Sequence, residues 1–548
     1  MKTTVLFLLA LLAIPLTAAT PPSDLQARLD TWIKGQPGGV AVAWVDADGA
    51  AFFQSGQFDG TDPRPITPDT QFELGSITKV FTALLLAESE RLGKVSRSDP
   101  AAKYLLQPAD PDQAPLAKIT LLSLTTHTSG LPRLSSNIGA NPDANQDPYA
   151  RYDRALLVEA FRTDGATAPA GRGVAYSNFG AAVLGEALGA AWGTSYAGAL
   201  RTHVLEPLGM KATTVGLAGL PPPPDFPLGH ANGKTVPNWT FQAYAPAGAL
   251  RSSVREMAIF LAACLDKDAS PLHAAIEAAI RPQQALDDLV GHIGLGWFIT
   301  EEGVIWHNGA TAGSHAFVAF NPKAGAGIVI LANVQLPAEP LGFGLLGAKP
   351  PQPKEVETVK GAADYVGRYP LATAFAIDVT EINGTLRGQA TGQPAFAMRA
   401  IAADRFAIIG VPAEISFERG ADGKVTALVL HQNGVDQRAP RGELPPPPKE
   451  VALPVETLRE YAGEYPLVPQ FVITITETDG ALFAQATGQG KAPLFASARD
   501  EFFYKVVSAQ ISFQRDSAGK ITGLILHQNG RDTLARLPLL EAMGGGSD

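Results

Sequence analysis

Hydrophobic positions divide the chain into stretches of different rhythm. Val5 to Leu16 is an apolar run of 12 residues, interrupted only by Pro15. From residue 20 to about 345, segments of helical period mix with segments of strand period. After residue 360 nearly everything alternates with period two. Phe375, Ile377 and Val379 alternate with polar or small neighbours, as do Phe471, Ile473 and Ile475. Asn383-Gly384, Asp479-Gly480, Asn433-Gly434 and Asn529-Gly530 supply the positive-φ pairs that tight hairpins need.

The period-two region is an internal duplication. Tyr365-Val366-Gly367-Arg368-Tyr369-Pro370 matches Tyr461-Ala462-Gly463-Glu464-Tyr465-Pro466, and His431-Gln432-Asn433-Gly434 matches His527-Gln528-Asn529-Gly530, always at an offset of 96. Gln389 to Gln393 and Ile415 to Phe417 repeat at the same offset. About eight short strands in each copy predict a small closed barrel. His431 and His527 sit beside hairpin turns, and a turn or surface role is expected for them.

Pro-rich stretches at 349–354 and 445–448 mark where the pattern changes. The chain therefore divides into a targeting segment (1–19), a mixed domain (20–348), a linker (349–360), a first barrel (361–444), a second linker (445–452) and a second barrel (453–541). Lys2, the apolar run and Thr17-Ala18-Ala19 read as a secretory signal peptide, too short to span a bilayer. No later stretch reaches 18 apolar residues, so stable membrane insertion is not expected and the mature protein is expected to be periplasmic or secreted.

Composition narrows the chemistry. Over 548 residues, 46% hydrophobic content is enough to build real cores. A net charge of −10, with no Lys/Arg run, argues against nucleic-acid binding. Cys264, the one cysteine, excludes an intramolecular disulfide and any multi-cysteine metal cluster; its apolar helical setting predicts a buried, inert thiol. No His-Glu-x-x-His occurs and the nine histidines are scattered, so no metal and no cofactor is expected. The absence of Gly-x-Ser-x-Gly disfavours an α/β-hydrolase.

Three motifs carry chemistry. Ser76-Ile77-Thr78-Lys79 opens an Ala/Leu-rich helical segment, so Ser76 and Lys79 share a helix face. A buried lysine loses its proton by desolvation and can then take the proton of a serine hydroxyl. A second Ser-x-x-Lys, Ser517 to Lys520, falls in a predicted hairpin, and its counterpart in the other repeat is Ala421, so it is read as chance. Tyr176-Ser177-Asn178 is the only Tyr-x-Asn among 11 tyrosines and precedes a helix expected from Gly180 to Ala191. His307-Asn308-Gly309 follows the predicted strand Val304-Ile305-Trp306. It is preferred to His292-Ile293-Gly294, which lies in a Gly-rich turn.

In this order and spacing, the motifs resemble the serine β-lactamase and penicillin-binding protein superfamily, on its class C β-lactamase, D-peptidase and esterase side. Leu124 to Pro132 (LTTHTSGLP), Pro207-Leu208-Gly209-Met210, Ala247 to Ser252 (AGALRS) and Gly294-Leu295-Gly296-Trp297 extend the likeness over about 25–340. The resemblance implies an α+β fold: an antiparallel sheet flanked by helices, an all-helical half, and then the two all-β barrels. It implies Ser76 as acylated nucleophile, Lys79 as general base, Tyr176 as proton shuttle and His307 as a further catalytic group. Asn178, Asn308 and Gly309 would bind substrate, and the backbone N–H groups of Ser76 and Ala310 would form the oxyanion hole.

One departure matters. β-Lactamases of this type usually carry Lys-Thr-Gly where this chain has His307-Asn308-Gly309. A histidine is mostly neutral at pH 7 and holds a carboxylate less well than lysine. The leading expectation is an exported serine peptidase or amidohydrolase for small, linear or D-residue peptides. The plan also resembles hydrolases that degrade linearised microcystin, in length, motif order and trailing β region. Carboxylesterase, β-lactamase and a non-enzymatic β-lactam or peptide sensor are the alternatives. The C-terminal repeats resemble lipocalin-like barrels and are expected to gate the site or mediate homo-oligomerisation.

Overall fold

Gly39-Val-Ala-Val-Ala-Trp-Val-Asp46 forms a strand, β1, buried along almost its whole length. Such a continuous apolar run suits a strand covered on both faces. In this computed structural model the described residues are 20–536, apart from 141–146, 169–172, 224, 267–269, 287–288, 352–357, 373–374, 392–394, 410–412, 433–434, 444–449, 469–470, 479, 487–490, 505–508 and 529–530. The expected signal peptide, half of the first linker and most of the second, Asp479, and the Asn433-Gly434 and Asn529-Gly530 turns lie outside them. The chain forms two compact units, Met1–Lys354 and Glu355–Asp548.

In the first unit α1 (Leu25–Ile33) precedes β1, and β2 (Gly49–Gly56) returns beside it. The segment opened by the Ser76 turn becomes α2 (Thr78–Arg91), and the Tyr176 loop leads into α3 (Asn178–Trp192). After α4 (Val254–Leu265) come β3 (Ile305–Ala310), β4 (His315–Asn321), β5 (Ala326–Ala332) and α5 (Glu339–Leu345). The antiparallel sheet runs β2-β1-β5-β4-β3, followed by three two-residue strands. Val40 pairs with Ala332 and His307 with Val318.

Period-two alternation splits the sheet between two cores. Ala41, Ala43, Val318, Val329 and Leu331 face α4 and the helical half, where Phe81, Phe179 and Phe260 are buried. Val40, Val42, Trp44, Phe317 and Ile330 face the other way, onto Leu25, Leu29 and Phe343 of α1 and α5. Cys264 is buried among the apolar groups of α4. β3 differs from its expected length. It runs on through His307-Asn308-Gly309 to Ala310 because those residues pair with Ala316 to Val318 of β4. His292 likewise lies in a two-residue strand, not a turn.

In the second unit each repeat is an eight-stranded antiparallel meander in chain order. Each has its own core, around Tyr365, Tyr369 and Phe417 in the first and around Tyr461, Tyr465 and Phe513 in the second. Closure is partial rather than complete. In the first barrel the end strands meet through a main-chain bond from Gly442 N to Arg368 O (2.9 Å), without a paired ladder. Asn383 and Gly384 both have positive φ, as the hairpin there requires. Ser517 to Lys520 is a hairpin turn, which explains the second Ser-x-x-Lys.

Candidate active site

A single turn of 3-10 helix, Gly75–Ile77, lifts Ser76 onto the mouth of α2. Lys79, one turn on, is buried at 3% exposure and reaches back. Its Nζ donates to Ser76 Oγ at 3.1 Å and to the Ala247 carbonyl at 2.7 Å. Neither partner carries a negative charge. Desolvation therefore dominates, and the Arg133 guanidinium adds to it, holding the Lys79 pKa well below the usual lysine range.

Tyr176 lies within hydrogen-bond reach of Ser76, and burial raises its phenol above the ordinary value. Its ring is fixed on two sides. Lys79 Nζ sits 4.8 Å from the ring centroid, and the ring of His127 packs at 4.5 Å. Ser177 caps α3 by accepting from Gly180 N at 2.8 Å and donates to the Pro132 carbonyl at 2.6 Å. These bonds fix both neighbours of Ser177 at the start of the helix. The Oδ1 of Asn178 is buried without a hydrogen-bond partner among the described residues, and Asn178 lines the cavity beside Ser76.

β3 completes the wall. Gly309 presses so closely on the Ser76 turn that a Cβ there would lie 2.0 Å from the Leu74 carbonyl oxygen. Gly75 answers from the other side with φ +51°, and a Cβ on it would meet Ala310 N at 2.7 Å. Two glycines thus bring the backbones of Ser76 and Ala310 to the same cavity. His307 is buried and donates from Nδ1 to the Asn308 carbonyl at 2.5 Å, which leaves Nε2 as an acceptor. Burial, with Lys79 nearby, lowers its pKa to about 3, so the imidazole is neutral.

Ser76, Lys79, Tyr176, Asn178, His307, Gly309 and Ala310 are therefore brought together. The side chain of Asn308 is not among them. Alternation along β3 turns it to the opposite face, where Nδ2 donates to Glu339 of α5.

Sequence reasoning missed six contributors. His127 holds φ +58° and accepts from Ser177 N at 3.2 Å while packing on Tyr176. Glu73 is buried at 4% exposure. It accepts from Thr311 Oγ1 at 2.5 Å and from Trp239 N at 2.7 Å, so one carboxylate ties β3's exit to the far wall. Burial raises its pKa to about 7. Arg133 stands 5.3 Å over the Tyr176 ring. Tyr149, Trp239 and Phe241 form an aromatic wall, Tyr149 stacking on Phe241 at 5.1 Å. The aromatic wall and Thr311 line the same open pocket as Ser76 and Ala310, about 280 Å³ of empty space that is continuous with solvent.

The arrangement sets a serine hydroxyl beside a desolvated amine, with two backbone segments and an apolar wall around one pocket, parts that acyl transfer can use. Among the described residues, no group of three or more His, Cys, Asp or Glu side chains could hold a metal ion, and no helix is long and apolar enough to cross a membrane.

Comparison with known proteins is consistent along the chain. Residues 26–344 match the family model described as Beta-lactamase. Residues 351–441 and 447–536 each match one described as a domain of unknown function, DUF3471. A beta-lactamase of Escherichia coli (strain K12) is 26% identical over 338 residues, 55% of this chain and 85% of that protein. Penicillin-binding protein 4* of Bacillus subtilis (strain 168) is 26% identical over 450 residues, 74% of this chain and 96% of its own. The D-alanyl-D-alanine-carboxypeptidase/endopeptidase AmpH of Escherichia coli (strain K12) is 31% identical over 205 residues, 37% of this chain and 52% of its own. A crystal structure of a class C beta-lactamase from Rhodobacter sphaeroides has TM-score 0.50 and 22% identity. It covers 59% of this chain and 99% of its own, a likeness of fold.

Proposed function

Because the chain belongs to the beta-lactamase family through residues 26–344, we propose that it is an exported serine hydrolase that forms an acyl-enzyme on Ser76 and cleaves small peptides. The observation that carries this reading is the 3.1 Å contact between Ser76 Oγ and a buried Lys79 that has no carboxylate partner among the described residues. Lys79 takes the Ser76 proton as Oγ attacks the scissile carbonyl. The N–H groups of Ser76 and Ala310 hold the oxyanion, and Tyr176 passes a proton to the departing amine. Asn178 Oδ1 accepts from an amide N–H on the acyl side. His307, neutral, stands beside Tyr176 as a hydrogen-bonding catalytic group. Gly309 lets the edge strand approach, and Asn308 contributes through its main chain.

Two features favour peptides over β-lactams. A neutral His307 holds no carboxylate by charge, and the aromatic wall suits an apolar side chain. The carboxypeptidase/endopeptidase name of one relative points the same way. A carboxylesterase is the second reading, supported by the same neutral imidazole. We assign the apolar run at 5–16 to export and the two barrels to gating of the site or homo-oligomerisation. Deletion of 355–548 without change in substrate size preference or assembly state would remove both barrel roles.

The test is intact-protein mass after exposure to a β-lactam, a fluorophosphonate, a nitrophenyl ester and small L- and D-residue peptides, with turnover recorded alongside. The expected result is an adduct on Ser76 and peptide cleavage that falls at least about a thousandfold in Ser76→Ala. Full peptide turnover in Ser76→Ala would overturn the reading. Turnover of the ester with no cleavage of any peptide would move it to the esterase.

A further inference from the structure

The two histidines of the C-terminal repeats do more than flank turns. On the outer face of the first barrel, His431 Nε2 meets Ser416 Oγ at 2.7 Å, and Nδ1 meets Asp436 Oδ1 at 2.7 Å. The second barrel repeats the arrangement, with Ser512 Oγ to His527 Nε2 at 2.8 Å and His527 Nδ1 to Asp532 Oδ1 at 2.7 Å. A hydroxyl, an imidazole and a carboxylate in that order are the parts of a serine nucleophile, its base and the group that orients the base.

The strand register explains how they meet. His431 and Asp436 are direct cross-strand partners, and Ser416 lies on the diagonal, opposite Val429. All three share one face, and the imidazole keeps 23% exposure. The two copies agree at these three positions and at the exposed Thr426/Thr522, while other neighbours on the face differ. Glu414, Glu418, Val429 and Arg438 correspond at offset 96 to Gln510, Gln514, Ile525 and Leu534. Pairing of a generic outer face does not require the triad to be the part that stays.

One difference separates the copies chemically. Directly across from Ser416 stands Arg405; across from Ser512 stands Glu501. Arg405 is held by Glu414 at 2.7 Å, which fixes a five-donor guanidinium beside the serine. Glu501 Oε2 instead accepts from Ser512 Oγ at 2.7 Å. A hydroxyl has one proton, so Glu501 competes with His527 for it. The same carboxylate also repels any negative charge forming on the substrate. Arg405 attracts such charge.

We propose that the first barrel carries a second, weaker acyl-transfer site. Ser416 is its nucleophile, His431 its base, Asp436 the orienting group and Arg405 the stabilising cation. The matching face of the second barrel is silenced by Glu501. His431 and Asp436 are 23% and 71% exposed, so this is an open sheet face among the described residues. Its substrates are therefore small carboxylic esters with activated leaving groups, such as aryl esters, and not peptides. As the Ser416 Oγ–C bond forms, the hydroxyl proton passes to His431 Nε2 and the C–O bond to the leaving aryloxide breaks. The proton follows the aryloxide. Water then attacks the ester on Ser416, giving its proton to His431, and the carboxylic acid leaves as Ser416 is restored.

The experiment uses full-length Ser76→Ala protein, so that the first unit cannot contribute through its nucleophile. It is treated with a small alkyl fluorophosphonate and, separately, with 4-nitrophenyl acetate, and adducts are mapped by peptide mass. The expected result is labelling of Ser416 at least about tenfold faster than Ser512, and loss of both labelling and residual ester turnover in Ser76→Ala/Ser416→Ala. Ser76→Ala/Asp436→Asn alters an exposed group and should slow labelling at least about tenfold with an unchanged melting profile. Ser76→Ala/Glu501→Arg should bring Ser512 up toward the rate of Ser416. No adduct on Ser416, equal rates at the two serines, or labelling that ignores Asp436 would overturn the proposal and leave the triads as cross-strand ties.

Discussion

Replacing Glu73 by glutamine should remove a specific pH dependence from the stability of the first unit. Glu73 is buried between Thr311, Trp239 and Arg251, and its pKa is raised from 4.5 to about 7. A raised carboxyl pKa means that the native state binds the proton more tightly than the unfolded chain. Its stabilising share is complete below pH 4.5, and it is lost as pH climbs through the window from 4.5 to about 7. At 1.36 kcal/mol per pH unit, that window corresponds to about 3 kcal/mol. His127 and His307, buried with lowered pKa values, titrate with the opposite sign, since the unfolded chain binds their protons more tightly. The quantity to read is therefore the difference between wild type and Glu73→Gln. All six tryptophans lie between Trp32 and Trp306, so their fluorescence in urea reports the first unit and not the barrels. Wild type should lose about 3 kcal/mol relative to the variant between pH 4 and pH 8. A flat difference, or a wild type that gains on the variant with rising pH, would refute the argument.

Two further substitutions test packing. Gly309→Ala puts a methyl group against the Leu74 carbonyl, 2.0 Å away. It should cost about 1–3 kcal/mol of stability and, by displacing Ala310 N–H, about 10²–10³ in kcat on peptides. Urea titration and steady-state kinetics read the two effects; unchanged kcat would separate Ala310 from oxyanion binding. In the second barrel, Tyr465→Phe removes a buried hydroxyl that donates to the Tyr461 carbonyl at 2.9 Å. About 1 kcal/mol should be lost from the barrel transition by calorimetry, with peptide turnover untouched.

Much of the site is legible because its parts are local. Ser76 and Lys79 share a helix face by spacing alone, and Tyr176-Ser177-Asn178 carries its own helix cap in Ser177. The barrels are legible because each copy supports the other and hairpin chemistry marks the turns. The remainder depends on contacts distant in sequence. Nothing near Glu73 announces that Thr311 and Trp239 will close over it. His127 earns its place through a left-handed backbone that its neighbours do not encode. Asn308 is a different case, because period two along the strand already separates it from His307 and Gly309. Taking the motif as a unit hid what alternation states. Ser416 and His431 belong to a third class: neighbours only after register is set, so no spacing rule joins them.

The pairing of β1 with β5 has a consequence for the order of events during synthesis. Residue 40 finds its partner only when residue 332 has been made, and β3, with Ala310, is seated through the strands next to them. Closing so long a loop costs chain entropy before any ladder bond repays it. The helix behind Ser76 can form early, but the Ala310 backbone reaches Ser76 only when the last strands dock. On the proposed mechanism a growing chain therefore holds its serine without the second oxyanion donor, and acylation waits for the complete fold.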